Sequence, residues 1–136
     1  MVDSDAIVAR LDRLSELLRQ LEEIRSAGPD AYRRDFRTRL AADHAIQLAV
    51  QVCIDVGAHL VAELGLDTPT DYRGIFESLR AKGLDDALAD RMGDATGMRN
   101  VLVHGYLEVD DEAVWAALDR LDDLREFAAF ARSQTD

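Results

Sequence analysis

Apolar side chains recur every three or four residues along almost the whole chain, a spacing that fits helices and leaves little room for anything else. In residues 4–26 the apolar positions Ile7, Leu11, Leu14, Leu18, Leu21 and Ile24 fall in one stripe of a helix with 3.6 residues per turn. No stretch alternates apolar and polar residues for long enough to make a strand. The pattern predicts an all-α bundle of about five helices in up-and-down order. Residues 1–136 are expected to form it as a single domain.

Punctuation in the sequence divides the bundle. Gly28-Pro29 stops the first helix, and a second, much longer one is expected over residues 30–63. That helix begins basic, with Arg33, Arg34, Arg37 and Arg39, and turns apolar from Ala45 onward. Gln47, Gln51, Asp55, His59 and Glu63 then follow at four-residue spacing and make one slowly drifting polar ribbon. The remaining apolar arc is broader than one neighbour covers, so this helix is expected at the centre or also at a subunit interface. Thr70 is the expected cap of a helix over 71–80 that Gly83 closes. A further helix is expected over 84–104, with breaks near Gly93 and Gly97. After an extended or turn-like stretch over 107–110, Asp110 or Asp111 caps a last helix reaching about residue 131, burying Val114, Leu118, Leu121, Leu124 and Phe127.

Charge and cysteine content narrow the setting. Sixteen basic against 27 acidic residues leave a formal charge of −11, which excludes a general nucleic-acid coat and leaves room only for a locally basic site. Lys82 is the only lysine; arginine suits bidentate binding of phosphate, although such a bias also follows from genomic base composition. The one cysteine, Cys53, lies in an apolar stretch, reads as a core residue and fits a reducing, intracellular environment. The acidic N-terminus shows no signal peptide, and residues 45–64 are interrupted by the polar ribbon and are not expected to span a membrane. A cytoplasmic protein is expected.

One segment carries chemistry: Arg99-Asn100-Val101-Leu102-Val103-His104-Gly105-Tyr106. On a helix Arg99 and His104 lie roughly 140° apart, while Asn100 and His104 share a face. A fixed cation, an amide, an imidazole and a phenol together could handle a phosphodiester. His104 is the natural proton carrier, since an imidazole titrates near pH ~6.5. Arg99 would bind phosphate and neutralise charge as it builds. Asn100 would orient His104, donate to a phosphate oxygen or cap the helix end. Tyr106 reads as a stacking platform for a base, a core-edge aromatic or an acceptor for a transferred nucleotide. By spacing alone, Arg99 and His104 are equally two ordinary polar residues on an exposed helix edge.

The motif nevertheless resembles that of the HepT-like branch of the HEPN superfamily, in which Arg, usually a polar residue, three further residues, His, one residue and Tyr follow without a gap. The likeness extends upstream through residues 48–60 and downstream through residues 108–115. It implies a two-fold dimer in which two copies of Arg99 and His104 face one cleft and cut RNA without a metal, with no cofactor. It further implies the toxin of a type VII toxin–antitoxin module. Its partner would be an MNT-type nucleotidyltransferase antitoxin that silences it by placing AMP on Tyr106.

Other residues have plainer readings. Asp55 and His59, one turn apart, are two metal ligands without a third, so no metal is expected; they read as partners across the cleft or bundle, with Asp55 orienting a histidine. His44 reads as a surface residue, and Trp115, Phe127 and Phe130 as packing. Arg33, Arg34, Arg37 and Arg39 either form salt links on a solvated segment or guide RNA or the partner protein. The rival to a nuclease is a non-catalytic helical dimer that docks or regulates a nucleotidyltransferase. Such a protein would cut no RNA.

Overall fold

The computed structural model describes residues 4–105 and 109–135, and within these the chain is helical with no strand. Helix α1 (Ser4–Ser26) has the predicted bounds and buries Ile7, Leu11, Leu14, Leu17, Leu18 and Leu21, with Ile24 partly buried. Gly28 ends this run at φ 92°, a conformation that disfavours any side chain.

The single helix expected over 30–63 is two. Helix α2 (Pro29–Arg34) and helix α3 (Phe36–Glu63) are separated by Asp35, which is extended at φ −116° and ψ 108°. Its carboxylate accepts from the Arg37 backbone N–H at 2.9 Å and from the Thr38 hydroxyl at 3.2 Å. A short acidic side chain gains more by capping exposed backbone donors than by continuing a helix, so the chain breaks there. Helix α3 is central as expected, packing on α1 and α2 and on the helices described below. By length and composition α3 does reach what a membrane span requires, contrary to the expectation from its polar ribbon; half of its most apolar window is buried within the bundle.

Helix α4 (Tyr72–Leu79) is capped by Asp71, one residue later than expected, whose carboxylate accepts from the Gly74 N–H at 2.8 Å. A 3-10 turn, Arg80–Lys82, follows and ends at Gly83 with φ 99°. Helix α5 (Asp86–His104) is capped by Asp85 and runs without a break. Helix α6 (Asp111–Ala117) is capped by Asp110, as predicted, but the last helix is interrupted. A 3-10 turn, Leu118–Arg120, separates α6 from helix α7 (Leu121–Ser133). All five core positions predicted for this segment, Val114, Leu118, Leu121, Leu124 and Phe127, are buried. The count therefore exceeds the five expected, because two predicted helices are each divided.

Aromatic residues lock the layers, as their spacing predicted. Tyr32 and Trp115 lie 5.1 Å apart between ring centroids, and Phe127 packs edge-on against Phe76 at 5.2 Å and near Phe130 at 6.2 Å. Cys53 is fully buried in the core, and burial pushes its thiol pKa up, consistent with an inert packing residue.

Candidate active site

Helix α5 delivers the motif because α4 packs along it. The expected breaks at Gly93 and Gly97 are absent for a packing reason at the first. A Cβ on Gly93 would lie 2.5 Å from Nη1 of Arg73, so this glycine seats the α4 arginine across α5. Arg73 in turn donates to Asp94 at 2.7 Å. The buried Thr96 hydroxyl donates back to the Gly93 carbonyl at 2.6 Å, keeping its polar group satisfied inside the helix. At the far end the Gly105 N–H donates to the Val101 carbonyl at 2.6 Å and closes the last turn on His104.

Arg99, in the last two turns, is half-buried and points toward α4. Its guanidinium carbon lies 5.6 Å from the ring centroid of Tyr72, and its Nη1 donates to the Asn100 side-chain oxygen at 3.0 Å. Its Nε is buried and has no acceptor among the described residues. Nor does Arg99 form an ion pair among them, whereas Arg33, Arg73, Arg80, Arg91 and Arg125 each hold a carboxylate oxygen within 3 Å. Asn100 thus engages Arg99 rather than His104. His104 is exposed, and its side chain makes no hydrogen bond to the described residues. Five residues of helix put the α-carbons of Arg99 and His104 about 7.5 Å apart along the axis, so one α5 end presents both side chains, on different faces.

The sequence pattern of the family described as ribonuclease HepT-like matches residues 14–131. The chain belongs to that family. A putative RNase of Archaeoglobus fulgidus is 34% identical over 120 residues, 88% of this chain and 90% of its own. A tRNA nuclease HepT of Aphanizomenon flos-aquae is 27% identical over 113 residues, 82% and 77% of the two chains. Among solved structures, a tri-AMPylated HEPN toxin of Shewanella oneidensis in complex with MNT antitoxin superposes with a TM-score of 0.87 at 22% identity, covering 98% of this chain and 100% of that one. At that identity the likeness establishes the all-α HEPN fold.

The other residues singled out in this HepT-like sequence are arranged differently from the motif. Asp55 and His59 do not pair with each other. Asp55 accepts from the Gln51 amide at 2.8 Å, and His59 Nε2 sits 3.7 Å from a Glu63 carboxylate oxygen, buried and without a hydrogen bond. The polar ribbon is therefore linked along α3 itself, and neither residue is bonded to Arg99 or His104. No group of three or more potential ligands is placed to hold a metal ion among the described residues. His44 is exposed. Tyr106, and the extended stretch expected at 107–108, lie outside the described residues.

The arginine cluster resolves into two pairs. Arg33 forks Glu112 at 2.7 and 2.9 Å, and Arg39 reaches Asp111 at 3.3 Å, fastening α2 and the start of α3 to the start of α6. Tyr32 adds a hydrogen bond from its hydroxyl to the Asp111 carbonyl at 2.9 Å. These contacts fix the segment just beyond residues 106–108 and are the salt links that one reading of the cluster expected. Arg34 and Arg37 are exposed and hold no carboxylate among the described residues. The residue that sequence reasoning missed is Tyr72, 39% exposed beside Arg99. Nothing local marks it, since its role comes from a helix distant in sequence.

Proposed function

We propose that this HepT-like chain is a metal-independent endoribonuclease, the toxin of a toxin–antitoxin module, with Arg99 and His104 as its catalytic residues. The observation that carries the reading is Arg99 itself. In a chain with 27 acidic residues its guanidinium is kept off every described carboxylate, lies over an aromatic ring and stands one helix end away from an exposed imidazole. An arginine so arranged has its charge available for a phosphate.

The chemistry uses the substrate's own nucleophile. The ribose 2′-oxygen attacks the adjacent phosphorus and gives its proton to one imidazole; the bond to the 5′-oxygen breaks, and that oxygen takes a proton from a second imidazole. Arg99 neutralises the charge that gathers on the non-bridging oxygens. One chain has a single motif histidine, so the second comes from a two-fold mate. Val101, 55% exposed and one turn before His104, gives such a mate an apolar contact beside the site. Asn100 supports Arg99 through the hydrogen bond at 3.0 Å. Asp55 and His59 remain candidate cleft residues only by contact with that mate.

Regulation follows the same reading. An MNT-type nucleotidyltransferase antitoxin transfers AMP from ATP to the Tyr106 hydroxyl and releases pyrophosphate. A bulky anion two residues from His104 then occupies the place of the RNA phosphate. Residues 1–136 act as one domain, and a toxin that cuts cellular RNA works in the cytoplasm.

Purified protein incubated with single-stranded RNA and a chelator should cut it, and His104→Ala should abolish cutting while the helical spectrum is unchanged. Cleavage that requires magnesium, or that survives loss of the imidazole, overturns the mechanism. A clean protein that cuts nothing favours the docking dimer. Intact mass after expression with the antitoxin should rise by whole AMP units, and Tyr106→Phe should block the increase.

A further inference from the structure

Tyr72 belongs to two places at once. Its ring faces the Arg99 guanidinium, and it also lines a cavity of about 280 Å³ between α3 and the loop that precedes α4. The walls are apolar, formed by Ala58, Val61, Pro69 and Ile75, and the exposed Thr70 and Asp71 add polar groups. The volume falls just below the range of drug-sized ligand sites, about 300–1,000 Å³, and suits one flat ring system better than a stretch of chain. A second cavity of the same volume, bordered by Met98, Leu121 and Leu124, contains no aromatic side chain and does not include Tyr72.

We infer that this cavity is a nucleobase subsite: a base next to the scissile phosphate stacks on Tyr72 while the phosphate rests on Arg99. The inference rests on the nuclease reading for the identity of the chain bound. Charge decides which half of a nucleotide enters. Asp71 puts a carboxylate at the cavity, which repels phosphate, whereas the uncharged base meets apolar walls, an aromatic face and the Thr70 hydroxyl. The phosphate is left outside, where the Arg99 guanidinium is already held against the same ring. Stacking tolerates any base, so the subsite supplies affinity and register without reading sequence.

The test uses His104→Ala protein, which should bind RNA without cutting it, and short single-stranded RNAs carrying 2-aminopurine at one position each. Fluorescence should be quenched at one position beside the cleaved bond. Tyr72→Leu should remove that quenching and weaken binding by roughly 5- to 150-fold, the span of base–aromatic stacking, whereas Tyr72→Phe should retain both. With an abasic nucleotide at that position, Tyr72→Leu should make little further difference, which a merely structural role for the ring would not produce. Quenching at no position, or quenching indifferent to Tyr72→Leu, overturns the subsite. So does a Tyr72→Leu variant whose only change is a dissociated dimer, because a second copy of the chain is then what covers the ring. The two readings fail separately. Wild-type cleavage without Tyr72-dependent quenching leaves the nuclease and removes the subsite, and quenching by a protein that cuts no RNA does the reverse.

Discussion

Two helical glycines should respond to the same substitution with opposite signs. Gly57 lies where α4 crosses α3, and a Cβ built there would sit 2.6 Å from Ile75 Cγ2, 3.6 Å from Phe127 Cζ and 3.7 Å from Leu79 Cδ1. Carbon atoms in contact prefer about 3.5–4.0 Å, so α4 must withdraw by roughly 1 Å, and its buried Ile75, Phe76 and Leu79 move with it. Overpacking of this kind costs about 1–3 kcal/mol, against a gain of up to about 1 kcal/mol from replacing glycine in a helix. Gly57→Ala should therefore lose about 1–2 kcal/mol, a fall in Tm of roughly 3–8 °C for a domain of this size. Gly97 on α5 has nothing within 4 Å, and Gly97→Ala should gain about 0.4–1 kcal/mol. Urea unfolding followed by far-ultraviolet circular dichroism measures both. Adding Ile75→Ala to Gly57→Ala should cost less than Ile75→Ala costs in the parent, because the colliding methyl is gone. If Gly57→Ala raises the urea midpoint as Gly97→Ala does, α3 and α4 are not as close as the packing requires, and the placement of Tyr72 against Arg99 fails with it.

Two further outcomes follow from the joint that α2 and α3 make with α6. Burial first, and then the neighbouring Asp111 charge, push the Asp43 carboxyl from 3.8 up to about 6, with Arg39 pulling the other way. Since the folded value lies above the unfolded one, proton binding favours the fold, and this contribution is complete below about pH 4 and is lost as pH rises through about 6. Discounted for the partial exposure of the carboxyl, Asp43→Asn should stabilise the protein by about 1 kcal/mol at pH 8 and by nothing measurable at pH 3.5, read as the difference in Tm at the two pH values. Tyr32→Phe removes the hydroxyl that donates to the Asp111 carbonyl and should cost about 0.5–1.5 kcal/mol in urea unfolding, while the Tyr32–Trp115 ring contact persists in the tryptophan emission.

Helix α1 was legible in the sequence because its apolar stripe and Gly28-Pro29 act locally. The break at Asp35 was not, since helical spacing continues through Arg34-Asp35-Phe36 and only the extended backbone of Asp35 reveals the cap. A similar competition moved the α4 cap from Thr70 to Asp71. Gly93 misled in the opposite direction: its lack of a side chain serves Arg73 on another helix rather than a break in its own. The site divides along the same line. Arg99, Asn100 and His104 lie close together on one helix and could be read directly, but the Arg99–Tyr72 stacking depends on which helices meet. Periodicity tells a helix which face is buried, not which neighbour buries it.

The acidity that argues against a nucleic-acid protein also explains how this site is built. With a charge of −11 the chain cannot rely on a broad basic surface to collect RNA, and most of its well-placed arginines are already engaged. Arg73 and Arg91 hold Asp94 and Asp123, and Arg33 holds Glu112, so their charge is neutralised where it stands. Arg99 escapes this because its neighbours within the fold are an amide and a phenol ring, groups that hold a guanidinium without cancelling it. On the proposed reading, what this end of α5 would offer RNA is an uncompensated cation and an exposed aromatic face side by side. A base that stacks contributes affinity independent of charge, and on that reading a strongly negative protein would need less positive charge to hold a negative polymer.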